Sequence, residues 1–149
     1  MKTLTVGRIV DASPAAVWAV LADYPNIMTW NDGVTNSRAI GDQTEGVGAQ
    51  RVCELAPGGA MRETVTEWVA EKRLAVAIDE ITKMPVKEAR MTFALGDGDA
   101  STPLTMTYDY APKGGPLSFL IAALMGPQMK KGFNGFIDGL EAAAQNRAV

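Results

Sequence analysis

The 149-residue sequence contains no histidine and one cysteine, Cys53. Without an imidazole there is no Ser-His-Asp triad, no His-ligated metal site and no histidine base. A single thiol forms neither an internal disulfide nor a thiolate zinc cluster, and it fits a reducing, cytoplasmic setting. Basic runs are also missing. The formal charge is −3, which argues against nucleic acid and anionic membranes as partners. Long apolar runs are absent too. Residues 15–22 are interrupted by Trp18 and bounded by Pro14 and Asp23, so they read as a helix rather than a leader. Residues 117–125 are apolar on nearly every side, but a bilayer span needs about 20 residues. Gly46-Val-Gly48 lacks the third glycine and the helix signal of a dinucleotide fingerprint. No repeat, linker or low-complexity segment divides the chain, and one domain over residues 1–149 is expected. Chemistry therefore falls to carboxylates, Arg, Lys and Tyr, with no cofactor or metal expected.

What is present is an alternation of strand and helix signals. Leu4 and Val6 alternate with polar residues, and Ile9-Val10 closes that strand. Ser13 is a good N-cap and Pro14 fits N1, where its missing N–H costs nothing. Val17, Val20 and Leu21 recur at helical spacing, and Pro25 disfavours helical geometry at Tyr24. A second short helical turn leads to Trp30. Strands are expected at 34–40, at 51–55 and 61–65 around the turn Ala56-Pro-Gly-Gly-Ala60, and at 74–78. Two more follow, with Lys87, Ala89, Met91, Phe93 and Leu95 on one face and then Leu104, Met106, Tyr108 and Tyr110 on one face. From about residue 116 to 144 the spacing is helical. Gly126-Pro127 is expected to bend or break this helix, and Met129, Phe133, Phe136, Ile137, Leu140 and Ala144 share a side. The order predicts an α+β fold: a curved antiparallel sheet of about seven strands around a long C-terminal helix, with two short helices between strands one and two.

Strand parity isolates the candidate site. Side chains alternate faces, so inward Cys53 and Leu55 carry Arg51 inward, and inward Met61 and Val65 carry Glu63 inward. Opposite charges on an apolar face must pair or share a polar ligand group. The alternative is a purely structural pair, or a bulge that slips the parity and leaves both solvated. The hydroxyls of Tyr108 and Tyr110 could reach a ligand, or serve as the wet tips of half-buried rings. Trp18 and Trp68 read as core or rim, and Cys53 as a small buried apolar residue. Residues 117–125, including Leu117, Phe119, Leu120, Ile121, Leu124 and Met125, either plug a cavity mouth, the favoured reading, or expose a patch. Gly132, Gly135 and Gly139 lie close together on the helix surface. They point to a close approach or to room left for a ligand, with chance spacing of small residues as the alternative.

The opening residues 9–30 resemble those of the START-like, or SRPBCC, superfamily. The resemblance extends through Gly46-Val-Gly-Ala-Gln-Arg51, Glu63-Thr-Val65, Pro85, Tyr110-Ala-Pro112 and Phe136-Ile-Asp-Gly-Leu140, and points to the polyketide cyclase/dehydrase-like branch. It implies a helix-grip fold around a ligand cavity. In similar hormone receptors a glutamate and basic groups line the pocket, and loops like 56–60 and 82–85 close over the ligand; for these two loops ordinary hairpin turns are the favoured alternative. Trp30 lies where similar proteins close one cavity end, with plain core as the alternative. The lining so implied is Trp30, Arg51, Cys53, Leu55, Met61, Glu63, Val65, Met91, Phe93, Tyr108, Tyr110, Leu120, Leu124, Phe133 and Phe136. The expected function is binding of a small hydrophobic molecule such as a lipid, isoprenoid, polyketide or aromatic. The alternatives are a cofactor-independent cyclase or dehydratase using Arg51, Glu63 and Tyr108, and an interaction domain like chaperone co-activators of this fold. A homodimer is left open.

Overall fold

A computed structural model describes residues 1–56 and 58–147; side chains at 116, 118, 119, 121 and 122 fall outside the description. Strand β1 (Lys2–Val10) leads to α1 (Pro14–Ala22) and a 3₁₀ segment (Tyr24–Thr29). Six further strands follow: β2 (Val34–Ile40), β3 (Gln50–Leu55), β4 (Ala60–Val69), β5 (Arg73–Asp79), β6 (Val86–Leu95) and β7 (Thr102–Pro112). A 3₁₀ turn (Gly115–Leu117) then opens α2 (Ser118–Arg147). The seven strands form one antiparallel sheet in the order β1-β7-β6-β5-β4-β3-β2.

Local chemistry explains the first turn of the fold. The Ser13 hydroxyl accepts from the Ala16 amide at 3.2 Å, and Pro14 occupies the first helical turn. The apolar face of α1 buries Val17, Val20 and Leu21, each contributing about 1.5–3 kcal/mol. Trp18 joins them, edge-on to Trp68 with ring centroids 5.2 Å apart. Tyr24 is buried at the start of the 3₁₀ segment, where Pro25 directs the chain away from α1.

The inner face of the sheet follows the expected alternation except at Lys87, which is exposed while Val86 is buried, because the register shifts between Val86 and Glu88. Val76 and Ile78 on β5, Ala89, Met91, Phe93 and Leu95 on β6, and Leu104, Met106, Tyr108 and Tyr110 on β7 are all buried. A register shift in β4 lies between Val65 and Glu67, beyond the candidate pair. It preserves parity from Met61 to Val65 and brings Trp68, rather than Glu67, to the core. Glu67 instead binds Arg73 at 2.8 Å and Arg90 at 3.0 Å on the outer face.

Helix α2 supplies the other wall. Ile137, Leu140 and Ala144 are fully buried, with Met129, Phe133 and Phe136 packed beside them. Arg8 on β1 pins this half of the helix, bonding Asp138 at 2.7 Å and the Asn134 carbonyl at 3.1 Å. Of the expected bend or break at Gly126-Pro127, the break does not occur: α2 is one helix from Ser118 to Arg147 with Pro127 inside it. Proline removes a single backbone hydrogen bond, and the turns on either side carry the helix past it.

Candidate functional site

A cavity of about 280 Å³ separates the sheet's inner face from α2. Buried Arg51, Glu63, Ile78, Met91, Phe93 and Tyr108 form its floor. Half-buried Met61, Met84, Met129, Phe133 and Phe136 form much of its upper wall. Gly132 also borders it, and a Cβ there would meet nothing within 4 Å. Apolar walls with few polar groups are the usual make-up of a small-molecule pocket, and the volume sits near the lower end of the about 300–1,000 Å³ range. A larger depression of about 450 Å³ near Pro14, Glu71, Lys72 and residues 96–99 is open to solvent and lined mainly by charged and glycine residues.

The polar end of the cavity comes from the β3–β4 hairpin. Register places Arg51 directly opposite Glu63. The Arg51 Nε donates to Glu63 Oε2 at 2.6 Å, and both residues are about 95% buried. Arg51 Nη1 donates to the Tyr24 carbonyl at 2.7 Å, and its guanidinium carbon stands 3.9 Å from the centre of the Tyr24 ring. Three contacts from two elements, β4 and the 3₁₀ segment, thus hold one guanidinium. Burial pulls the Arg51 pKa down, but Glu63 and the neighbouring groups more than offset this, so the net shift is upward and Arg51 is a fixed cation. Cys53 Sγ donates to the same Glu63 oxygen at 3.4 Å. Burial first, and then the Glu63 charge, push the Cys53 thiol well above its ordinary range, so it is an inert neutral donor.

Tyr108, on β7, borders the cavity from the same inner face of the sheet. Its ring stacks on Tyr110 at 5.3 Å and meets Phe133 edge-on at 5.1 Å. Burial, with smaller contributions from Glu63 and Tyr110, pushes the Tyr108 hydroxyl up to about 12. It is therefore a donor and acceptor near neutral pH and not a phenolate. Among the described residues no group of three His, Cys, Asp or Glu is placed to hold a metal ion.

Nine of the residues singled out from sequence border the cavity: Arg51, Leu55, Met61, Glu63, Met91, Phe93, Tyr108, Phe133 and Phe136. Trp30 does not border the cavity and packs edge-on against Phe136 at 4.8 Å. Cys53 and Val65 are core residues of the hairpin, and Tyr110 backs Tyr108 without bordering the space. Leu120 and Leu124 correct the expected plug. They are 62% and 75% exposed and border no part of the cavity, because the first half of α2 presents them to solvent. The side chains of Phe119 and Ile121 lie outside the described residues. The three helix glycines separate into different roles. At Gly139 a Cβ would stand 2.4 Å from the Trp30 carbonyl, whereas at Gly132 and Gly135 it would meet open space.

Sequence reasoning did not select Ile27, Asn31, Gly33, Val34, Ile78, Met84 or Met129 as lining, whereas Gly132 was one of the helix glycines read as a close approach or room for a ligand. Met129 and Ile78 carried a usable signal, since both fall on the inward period of their elements. The others lie on or beside loops, where no period exists. The loops at 56–60 and 82–85 meet at the cavity rim. The Thr82 amide donates to the Ala60 carbonyl at 2.9 Å, and the Ala60 amide donates to Thr82 Oγ1 at 2.9 Å. Gly59 has φ +98°, and a Cβ there would stand 2.4 Å from the Thr82 carbonyl, so this junction requires glycine. Pro57 lies outside the described residues.

A long C-terminal helix gripped by a curved seven-stranded antiparallel sheet, with two short helices between the first two strands, is the helix-grip architecture. The chain belongs to the family described as polyketide cyclase / dehydrase and lipid transport, whose model matches residues 1–145. No curated protein sequence matches it. Solved structures match the fold over nearly its whole length. A protein from Thermus thermophilus is 15% identical with a TM-score of 0.82, covering 99% of this chain and 100% of its own. The Zhui aromatase/cyclase from Streptomyces sp. R1128 is 13% identical with a TM-score of 0.79, covering 99% and 96%. Ara h 8.0201 is 11% identical with a TM-score of 0.75, covering 97% and 98%. Among the described residues no helix is long and apolar enough to cross a membrane.

Proposed function

We propose that the protein binds a small, mainly apolar molecule in the hollow between sheet and α2, with Arg51, Glu63 and Tyr108 orienting its polar end. The observation that carries this reading is the 280 Å³ cavity itself, apolar in its walls and ending on a buried ion pair. A hollow of this size forfeits packing that a filled core would have, so its retention favours an occupant. The family's description, with its cyclase, dehydrase and lipid-transport members, supports the same reading. The test is titration with the neutral solvent-sensitive dye Nile red. Wild-type protein should bind saturably, and Gly132→Leu and Met61→Trp, which add side chains at the cavity wall, should weaken binding at least about tenfold while circular dichroism is unchanged. Absence of saturable binding, or binding untouched by both substitutions, would overturn the reading.

A cyclase or dehydratase reading uses the same groups. The support for it is chemical: Tyr108 is a neutral donor able to polarise a carbonyl, and Glu63 is a carboxylate on the same cavity wall able to move a proton. Turnover of a polyketide-like substrate, lost in Tyr108→Phe with binding retained, is its signature.

A further inference from the structure

The chain is acidic overall, but its charge is not evenly spread. Every arginine is ion-paired. Lys83, Lys87, Lys130 and Lys131 are exposed and have no acidic partner among the described residues, and Lys113 reaches only the Ile81 carbonyl at 3.5 Å. These lysines gather around one end of the sheet and the start of α2. The Lys113 amide donates to the Pro85 carbonyl at 2.9 Å, which joins the end of β7 to the start of β6. Residues 110–137 run from that junction into α2 and contain three lysines and no acidic residue. The negative net charge, which by itself argues against anionic partners, therefore does not describe this face.

Leucines stand among the cations. Leu117 and Leu120 are 62% exposed and Leu124 is 75% exposed. At about 3.6 residues per turn, Leu120, Leu124 and Lys131 fall within about 40° of one another on the helix surface. Met129, Phe133 and Phe136, which border the cavity, lie on the opposite side of α2. One exposed leucine is ordinary, but three spaced a turn apart and rimmed by charge of one sign mark an interaction surface. The rim says which kind. A contact between two copies through this face would use the same patch on both and set lysine against lysine. An anionic lipid surface matches both features: leucines enter the boundary between headgroups and acyl chains, and lysines meet the lipid phosphates.

We propose that the first half of α2, with the lysines around it, is a docking surface for anionic lipid bilayers. Flotation with vesicles of phosphatidylcholine alone, and of phosphatidylcholine mixed equally with phosphatidylglycerol, tests it. Wild-type protein should float with the mixed vesicles, far less with the neutral ones, and progressively less as added salt screens the lysines. The double substitution Lys130→Gln/Lys131→Gln should weaken binding by about fivefold for each lysine, and Leu120→Glu/Leu124→Glu should abolish it. Ile9→Glu changes a comparably exposed residue near the far end of β1 and should leave flotation unchanged. Circular dichroism and Nile red titration without vesicles should be the same in every variant, because none of the changed residues borders the cavity. No flotation at low salt, equal flotation with both vesicles, or flotation untouched by Leu120→Glu/Leu124→Glu would overturn the proposal and leave the ligand-binding reading standing. A dimer seen by light scattering that Leu120→Glu/Leu124→Glu dissolves, with no vesicle binding, would also overturn it and assign the face to a second copy. Failure of Nile red to bind, with flotation as expected, would overturn the ligand-binding reading alone.

Discussion

Replacing either member of the Arg51–Glu63 pair should be far more damaging than replacing both. Two unit charges about 4 Å apart attract by about 4 kcal/mol at an effective dielectric constant of about 20. Arg51→Met removes that attraction and leaves a carboxylate that is 4% exposed without its cation. The reverse change, Glu63→Leu, strands the guanidinium. Breaking one side of a buried pair typically costs about 3–5 kcal/mol. For 149 residues at about 0.05–0.15 kcal/mol each, total stability is at least about 7 kcal/mol, so each single variant should remain measurable. The double variant buries no charge. Its remaining defect is the Tyr24 carbonyl, which loses its Nη1 donor at a cost of about 1–3 kcal/mol. The singles should therefore sum to about 6–10 kcal/mol and the double should lose no more than about 3 kcal/mol, a coupling of several kcal/mol. Urea unfolding followed by tryptophan fluorescence, with equal slopes across the four proteins, measures the cycle. Singles that cost under about 1 kcal/mol, or losses that simply add, would show a solvated pair and refute the reasoning.

The helix glycines give an opposite-signed comparison. Gly135→Ala places a methyl in open space and should stabilise the protein by up to about 1 kcal/mol, whereas Gly139→Ala drives a Cβ into the Trp30 carbonyl and should destabilise it, both read from the urea midpoint. Tyr108 sets a pH dependence with a definite sign. Its folded pKa of about 12 lies above the unfolded value of about 10, so its contribution is fully present below about pH 10 and is lost as pH rises through about 12. Stability should fall across that window, and the fall should be shallower in Tyr108→Phe; equal slopes in the two proteins would contradict the burial of this hydroxyl.

Much of the architecture was legible because its signals are local and periodic. The Ser13 cap, Pro14 and the Val17/Val20/Leu21 stripe define α1 without reference to the rest of the chain. Period-two alternation was enough to bring Arg51 and Glu63 to one face, since the bulge in β4 falls after Val65. It was not enough to separate Tyr108 from Tyr110. Both have the same parity, but only the first reaches the cavity, because the space is bounded by where Phe133 and Met129 of α2 stand over the sheet.

The first half of α2 shows the limit most clearly. Leu120 and Leu124 looked like a plug because apolar side chains seek burial, but burial needs a facing surface, and none covers these two among the described residues. Sequence alone determined the helix-grip order of elements, the inward parity of the hairpin and the stripe that seats α2 on the sheet, because each follows from repeats within a dozen residues. Tertiary structure alone decided that a hollow remains between them and that the Tyr24 carbonyl and ring hold Arg51. Those outcomes depend on distances between segments far apart in the chain, which no local period encodes.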